Sequence, residues 1–564
     1  MEQYEVVETD VLIIGGGAAG ARAAIEAADQ GCKVALANKG LVSKSGATPM
    51  AGTFSIPLHP QDSKQVHFAD TVRVGKDLGD QNLIQALADD AKARFLDLEE
   101  YGVPFQRNDG QVFLEHHPGT TYPRNAYIRG GGYYMMKPLY DQIQKRNNIE
   151  VYPDHIATRI LPENGAVAGA TVLNLRKGIF LLFQCSSIIL ATGGYMGIFK
   201  KSTASPDITG DGVALAADAG AELVDLEMVQ YYPTRFVYPD HMQNDLVGYE
   251  TFLGKRYLGG KLLNRDGKEF LAPGEPPPRD EITRLILEEV EKGQGSDHGG
   301  VYMDIREPMR RLAELEMQPQ EKEIISIEYN RFKRSGVDAK EELLEVGPAA
   351  HYTLGGVRIN ENCETSILGL YAAGEVAGNL HGANRISGNA LTETQVFGFR
   401  AGRAAAHRAK TARDEIPKIP KEGVLQEVSK KELFLKSEDG ESPVKVCREL
   451  RDITDRGLML RRNREGLTRG LEELKKLRER YESNCRVTQL REFNYEWQQA
   501  IELGLMLNLS ELVLGSALLR QETRGNHFRR DFPQTKADWV RHTIARKKDG
   551  GIVYGTAPII RVKD

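Results

Sequence analysis

The stretch TDVLIIGGGAAGARAAIEAADQGCKVALANK, residues Thr9 to Lys39, carries the pattern that decides the fold. It runs from an apolar strand through a glycine turn into an alanine-rich helix, and out into a second apolar strand, which makes a βαβ unit. Gly15 permits the tight turn, Gly17 lets the backbone approach a pyrophosphate, and Gly20 lets helix and strand pack closely. Ala18 and Ala19 open the helix, whose positive N-terminal end faces the anion. The second strand ends in Asn38 and Lys39, not in the acidic residue that usually receives ribose hydroxyls. This motif by itself does not choose between FAD and NAD.

Around this unit the chain has 564 residues with 41% hydrophobic content, more than one core usually organises, so two or three domains are expected. Lys and Arg number 74 against 79 Asp and Glu, a net charge of -5 that offers no basic field for phosphates and argues against nucleic acid as a partner. Cys32, Cys185, Cys363, Cys447 and Cys485 are scattered, with none of the C-x-x-C spacing of zinc or iron–sulfur sites. They are read as reduced structural thiols, and no metal site is expected. The most apolar run, GIFLLFQCSSIILATGG, is broken by Gln184, Ser186 and Ser187 well short of a bilayer span. With no signal-like segment before the first strand, a cytoplasmic location is expected, any membrane association coming through a partner.

Further small-residue segments follow at intervals: SKSGATPMAG (Ser43 to Gly52), IILATGG (Ile188 to Gly194), TGDGVALAADAGAEL (Thr209 to Leu223) and GLYAAGEVAG (Gly369 to Gly378). Together with HYTLGGV (His351 to Val357), NRISGNALTETQVFGFRAG (Asn384 to Gly402) and ETRGNHFRRDFP near the C-terminus, they resemble the flavoprotein subunits of fumarate reductase and succinate dehydrogenase. That superfamily also contains L-aspartate oxidase and the adenylylsulfate reductase α subunit. The resemblance implies an α/β fold in which a Rossmann-like FAD-binding domain, residues 1–236 and 348–408, is interrupted by an α+β capping domain at 237–347. A linker and C-terminal helical domain at 409–564 complete the expectation. In that last part Pro417 and Pro420 read as helix breakers. Leu460, Leu467, Leu471, Leu474 and Tyr481 then recur at helical spacing.

The resemblance implies FAD, with Ser45, Gly46, Ala47, Gly52, Ala191, Thr192, Gly193 and Asp211 near it. Glu375 ends a strand where a carboxylate can accept ribityl hydroxyls. Asn389, Ala390 and Leu391 open a long helix whose positive end suits the electron-rich pyrimidine edge of a reduced flavin. Members with covalently attached flavin carry a histidine in an R-S-H-T motif. Gly46 stands at that place here, so FAD is expected to be held without a covalent bond.

For substrate, the resemblance matches Arg279 and Asp280 to an R-D motif that delivers a proton. It matches His351 and Arg385 to residues that hold a carboxylate. Polarising a carboxylate conjugated to a C=C bond draws charge from the alkene and prepares it for hydride. The chain departs from the family at Tyr232, where QYYPT replaces QYHPT. An ungapped count from GGKLLN sets Phe252 and Leu253 where a polar Thr-Glu pair is usual, so a larger, less polar pocket is expected, suited to a bulkier carboxylate or acyl substrate. Nearby Arg235 is an unassigned cation. With no second dinucleotide motif and no cluster ligands, electrons are expected to pass through a separate iron–sulfur or quinone-linked subunit. Two other readings stay open: a C–N oxidase like L-aspartate oxidase, and a non-catalytic FAD-bearing subunit.

Overall fold

The computed structural model describes residues 4–253, 258–272, 274–412, 418–436, 439–460 and 462–562. Val11–Ile14 (β1), Ala18–Asp29 (α1) and Val34–Asn38 (β2) form the expected parallel unit. Ile149–Pro153 (β3) flanks β2, while Ser187–Leu190 (β4) flanks β1 and carries Leu370–Ala372 on its far edge, giving five parallel strands. β1, β2 and β4 are buried along their whole length, which is why they read as unbroken apolar runs.

Two strands then leave this body for the second. Val229–Tyr238 (β5) pairs antiparallel with Leu344–Thr353 (β8) in a sheet completed by Lys261–Leu263 (β6) and Val301–Asp304 (β7). Around it pack Tyr249–Phe252 (α2), Arg279–Glu291 (α3) and Pro319–Arg334 (α4). A separate apolar cluster, including Phe236, Phe252, Ile282, Met303 and Phe332, gives this cap its own core. The boundaries expected at 237 and 347 fall inside β5 and β8, so two continuous strands carry the chain across. Their near ends hold Tyr232, opposite Ala349, with His351 two residues further along β8.

Asn389–Thr411 (α5) lies against α1, so close that a Cβ on Gly398 or Gly402 would lie 2.6 or 2.7 Å from the carbonyl oxygens of Ala19 and Ala23. The glycines of GFRAG therefore serve helix packing as well as the expected site.

Beyond α5 the structure departs from a solvated linker. Pro417 lies outside the described residues, but Pro420 caps a helix at Lys421–Glu432. Pro443–Leu458 (α6), Arg464–Asn484 (α7) and Tyr495–Leu519 (α8) follow, with Leu467, Leu474 and Tyr481 buried as the spacing predicts. Helix α8 is long and apolar enough to cross a bilayer, yet 72% of its most apolar window is buried within the protein. The C-terminal part is not wholly helical: Arg541–Lys548 (β9) and Gly551–Pro558 (β10) form a hairpin whose first strand pairs with Leu223–Val224. Arg520 fastens this end to the FAD-binding body through buried bonds to Asp225 and Glu227.

Candidate active site

One elongated cavity runs from the glycine turn after β1 to the near ends of β5 and β8. At its first end the N-terminus of α1 opens onto the space with no side-chain cap and no acidic residue in its first turn. The amide of Ala18 donates to Thr48 Oγ1 at 3.2 Å. Gly15, with φ of 112°, has the carbonyl oxygen of Ala191 only 2.2 Å from where a Cβ would stand, so the turn excludes any side chain. The open helix end and its dipole suit a pyrophosphate.

Asn38 and Lys39 replace the missing acid in different ways. Asn38 Oδ1 accepts from the Gly16 amide at 2.9 Å and its amide group donates to Ser45 Oγ at 3.0 Å, tying the turn to the loop after β2. Lys39 Nζ donates to Thr209 Oγ1, to Asp211 at 2.8 Å and to Glu502 of α8 at 2.9 Å. Burial works against its charge, but the two carboxylates outweigh it and hold the ammonium above the usual lysine range. The lysine charge is thus already spoken for on the protein side.

Along the middle, Gly46 has φ of 80° and its amide donates to Asp207 Oδ2 at 2.7 Å. A Cβ there would meet only Ile208 Cδ1, at 3.9 Å, so the space a histidine would take belongs to the cavity. Glu375 accepts from the Thr353 amide at 2.9 Å, and burial pushes its carboxyl up to about 7. Thr192 Oγ1 is buried with no hydrogen-bond partner, a polar group awaiting a ligand in the cradle. Helix α5 begins at Gly388 with no capping side chain and no acid in its first turn, and Ala390 and Leu391 line the wall.

The far end is built from charge. Arg279, the first residue of α3, donates to Glu250 Oε1 at 2.8 Å and to Gln230 at 3.2 Å. Burial disfavours its charge, yet Glu250 holds the guanidinium above its ordinary range. Glu250 also accepts from the Tyr232 hydroxyl at 2.5 Å. Burial alone would raise its carboxyl, but Arg279 prevails and holds it below the usual range.

Arg385 is also buried, over the Tyr352 ring at 4.3 Å, and its Nη1 donates only to the Ile386 carbonyl. Its Nε has no partner, and among the described residues no carboxylate lies within ion-pair distance. Burial, reinforced by Arg279, pushes it down to about 10. His351 Nδ1 lies 2.8 Å from Thr203 Oγ1, and burial followed by the two arginines keeps the imidazole neutral. The cavity therefore ends on an under-neutralised guanidinium beside a neutral imidazole, with a second guanidinium backed by a carboxylate. Such a site is suited to an anion beside Arg385.

The FAD binding domain family matches residues 10–391, and the family described as fumarate reductase flavoprotein C-term matches 447–560. The chain belongs to the fumarate reductase flavoprotein family. It is 37% identical over 560 residues to a subunit of the CoM/CoB fumarate reductase of Methanothermobacter marburgensis, covering 97% of this chain and 98% of that one. The fumarate reductase flavoprotein subunit of Escherichia coli is 31% identical over 578 residues, with 97% and 93% covered. A solved E. coli quinol fumarate reductase chain superposes with a TM-score of 0.88 at 29% identity, with 99% and 98% covered. Adenylylsulfate reductase from Archaeoglobus fulgidus, with a TM-score of 0.83 at 21% identity, shares the fold.

FAD is thus the cofactor of this fumarate reductase family chain, and the uncapped helix ends, the closed Gly15 turn and the orphaned Thr192 hydroxyl fit it. Of the residues expected from sequence, the cavity brings together Gly15, Gly17, Ala18, Ala19, Asn38, Lys39, Ser45, Gly46, Ala47, Gly52, Ala191, Thr192, Gly193, Asp211, Tyr232, Arg279, His351, Glu375, Arg385, Ala390 and Leu391. Five others lie elsewhere. Gly20 packs against the strand side, its missing Cβ 1.9 Å from the Gly15 carbonyl. Asn389 turns away to His67 Nε2 at 2.9 Å. Asp280 accepts from Asn384 at 2.8 Å and pairs with Lys76 at 3.2 Å, a fastening of cap to body and not a wall of the cavity.

Phe252 and Leu253 belong to the core of the cap, with the Phe252 ring 6.0 Å from Phe332. They are absent from the cavity wall because the turn of α2 gives its inner side to Glu250. Arg235 is buried outside the wall, donating to the Phe236 carbonyl, and burial pushes it down to about 10. A two-residue shift of the count from GGKLLN brings Glu250 to the pocket, where the structure has it paired with Arg279, while Thr203, Asp207, Leu246 and Tyr352 escape sequence reasoning. Only Glu250 left a signal, as the single acid in LVGYETF.

Proposed function

We propose that this chain exchanges a hydride with a carbon–carbon bond next to a carboxylate, reducing an enoate in one direction. The observation that carries this reading is the buried Arg385 guanidinium, without a carboxylate partner among the described residues, in the same cavity as the FAD cradle. When bound, FAD supplies the hydride chemistry. Arg385 and the neutral His351 hold the carboxylate and polarise the conjugated double bond. Arg279 stands across the pocket as proton donor to the neighbouring carbon. Glu250 keeps that guanidinium in place, since the charge-assisted bond of 2.8 Å that Arg279 donates to this buried carboxylate restricts its orientation.

The substrate we favour is fumarate. With Phe252 and Leu253 inside the cap, the apolar far wall reduces to Tyr232 and Leu246, and the relatives from M. marburgensis and E. coli are both named fumarate reductases. The electron donor is a separate iron–sulfur or quinone-linked subunit, in keeping with relatives named as flavoprotein subunits and with a quinol fumarate reductase as structural counterpart. The test is anaerobic: photoreduce the flavin and mix with fumarate, then with an aryl-bearing enoate. Fast reoxidation by fumarate supports the diacid reading, and preference for the larger enoate restores the wider pocket expected from Tyr232. Fast reoxidation by air with neither enoate active points instead to an oxidase.

A further inference from the structure

Once Arg279 has given its proton away, it must be recharged, and Glu250 is itself buried. Among the described residues, the groups in electrostatic reach of Glu250 include Arg279, Tyr232, Tyr249, His117 and a second carboxylate, Glu328 of α4. The last of these sits at the N-terminus of α2, the short helix whose second residue is Glu250. The Gly248 amide is directed at the Glu328 carboxylate, and a Cβ on Gly248 would stand 3.3 Å from Oε1 and 3.4 Å from Oε2. Glu328 Oε2 is buried without a hydrogen-bond partner. On the other side α4 reaches solvent within one turn, where Ile327 is 56% exposed and Arg331 is exposed too. Glu328 thus lies between bulk water and the ion pair that serves the substrate.

We infer that Glu328 is the entry point of the proton relay, passing protons through Glu250 to Arg279. The inference rests on the proposed role of Arg279. In each turnover the alkene π bond breaks and two C–H bonds form, one from hydride originating in reduced FAD and one from the Arg279 proton. Glu328 then protonates the Glu250 carboxylate through an intervening water, Glu250 hands that proton to the neutral Arg279, and solvent reprotonates Glu328. Electrostatics favour this order. The guanidinium charge that keeps Glu250 acidic disappears when Arg279 is neutral, so burial then raises the affinity of Glu250 for a proton.

Glu328 is poised to respond, because burial, against the opposing pull of Arg331 on its own helix and the Gly248 amide, pushes it up to about 7. Glu250 on α2 and Glu115 on the strand Leu114–Glu115 raise it further, and Tyr127 faces it from the body. Below about pH 7 Glu328 carries its proton, so the relay is loaded at low pH and empties as pH rises through that value.

The test is single-turnover oxidation of the photoreduced enzyme by fumarate across neutral pH, in Glu328→Gln, Glu328→Asp, His117→Gln and Arg279→Ala. Glu328→Gln is expected to slow the step roughly tenfold at low pH, at the weak end of a general-acid effect, and to abolish the fall in rate near pH 7. Glu328→Asp restores part of the rate and the fall, and His117→Gln changes little. An infrared protonated-carboxyl band that titrates near pH 7 and is lost in Glu328→Gln gives a readout independent of turnover. Wild-type pH dependence in Glu328→Gln, or loss of that limb in His117→Gln, overturns the assignment. If Glu328→Gln fails to fold, the absence of a carboxyl band titrating near pH 7 in the wild-type enzyme does the same. Full activity in Arg279→Ala breaks the underlying site reading instead, so the two failures are distinguishable.

Discussion

The two ends of the cavity recognise their ligands by different physics. The FAD end is mostly backbone: glycine turns, uncapped helix termini, and one lysine whose charge Asp211 and Glu502 already balance. The substrate end is side chains: two buried guanidiniums, of which only Arg279 has a carboxylate partner among the described residues. A backbone cradle selects shape and tolerates little added volume, whereas a buried cation selects charge and loses rate when that charge goes. The two regions should therefore fail differently when altered.

The largest effect is expected at the charged end. Arg279→Ala should keep FAD bound yet slow single-turnover reduction by about 10²-fold or more, the range for losing a general acid. An unchanged rate would make Arg279 a structural partner of Glu250 and erase the contrast. Next comes Arg385→Met, which should lower kcat/KM by about 10²-fold, as expected for removing one member of a buried charged contact. Much of that loss should appear in KM, with flavin absorbance unaltered.

At the cradle, Lys39→Met should act in the opposite sense. It leaves Asp211 and Glu502 facing each other without their cation, at a cost of about 3–5 kcal/mol for breaking a buried pair. Thermal melting and FAD occupancy should fall, while the rate per bound flavin stays near wild type. A selective loss of rate would mean that the cradle also tunes chemistry. The smallest perturbation needs no substitution: acid precipitation should release all the FAD into the supernatant, because Gly46 has no side chain to attach it. Yellow colour in the pellet would break that expectation.

Much of this was legible because cradle chemistry is local. The turn at Gly15 to Gly20, the Gly46 loop and Glu375 each announce themselves within a dozen residues, since backbone conformation is set by near neighbours. The substrate end draws on β5, α2, α3, β8 and the loop before α5, so its pairings depend on chain segments far apart. Counting without gaps from GGKLLN set Phe252 and Leu253 at the pocket, and that count cannot register how α2 turns. Asp280 and Asn389 show the same limit, each beside a true wall residue yet pointed at a different neighbour.

From the residues alone came the βαβ unit, because periodicity and glycine placement are properties of short stretches, while the family resemblance of the quoted segments supplied the further cofactor positions and the candidates Arg279, His351 and Arg385. Only the tertiary structure decided which charges meet. It paired Glu250 with Arg279, left Arg385 without a carboxylate among the described residues, gave Lys39 two acids from distant helices and brought Glu328 to the N-terminus of α2. Those outcomes turn on burial and on distances of a few ångströms between segments separated by tens to hundreds of residues, and electrostatic energy in a low-dielectric interior is set by such distances.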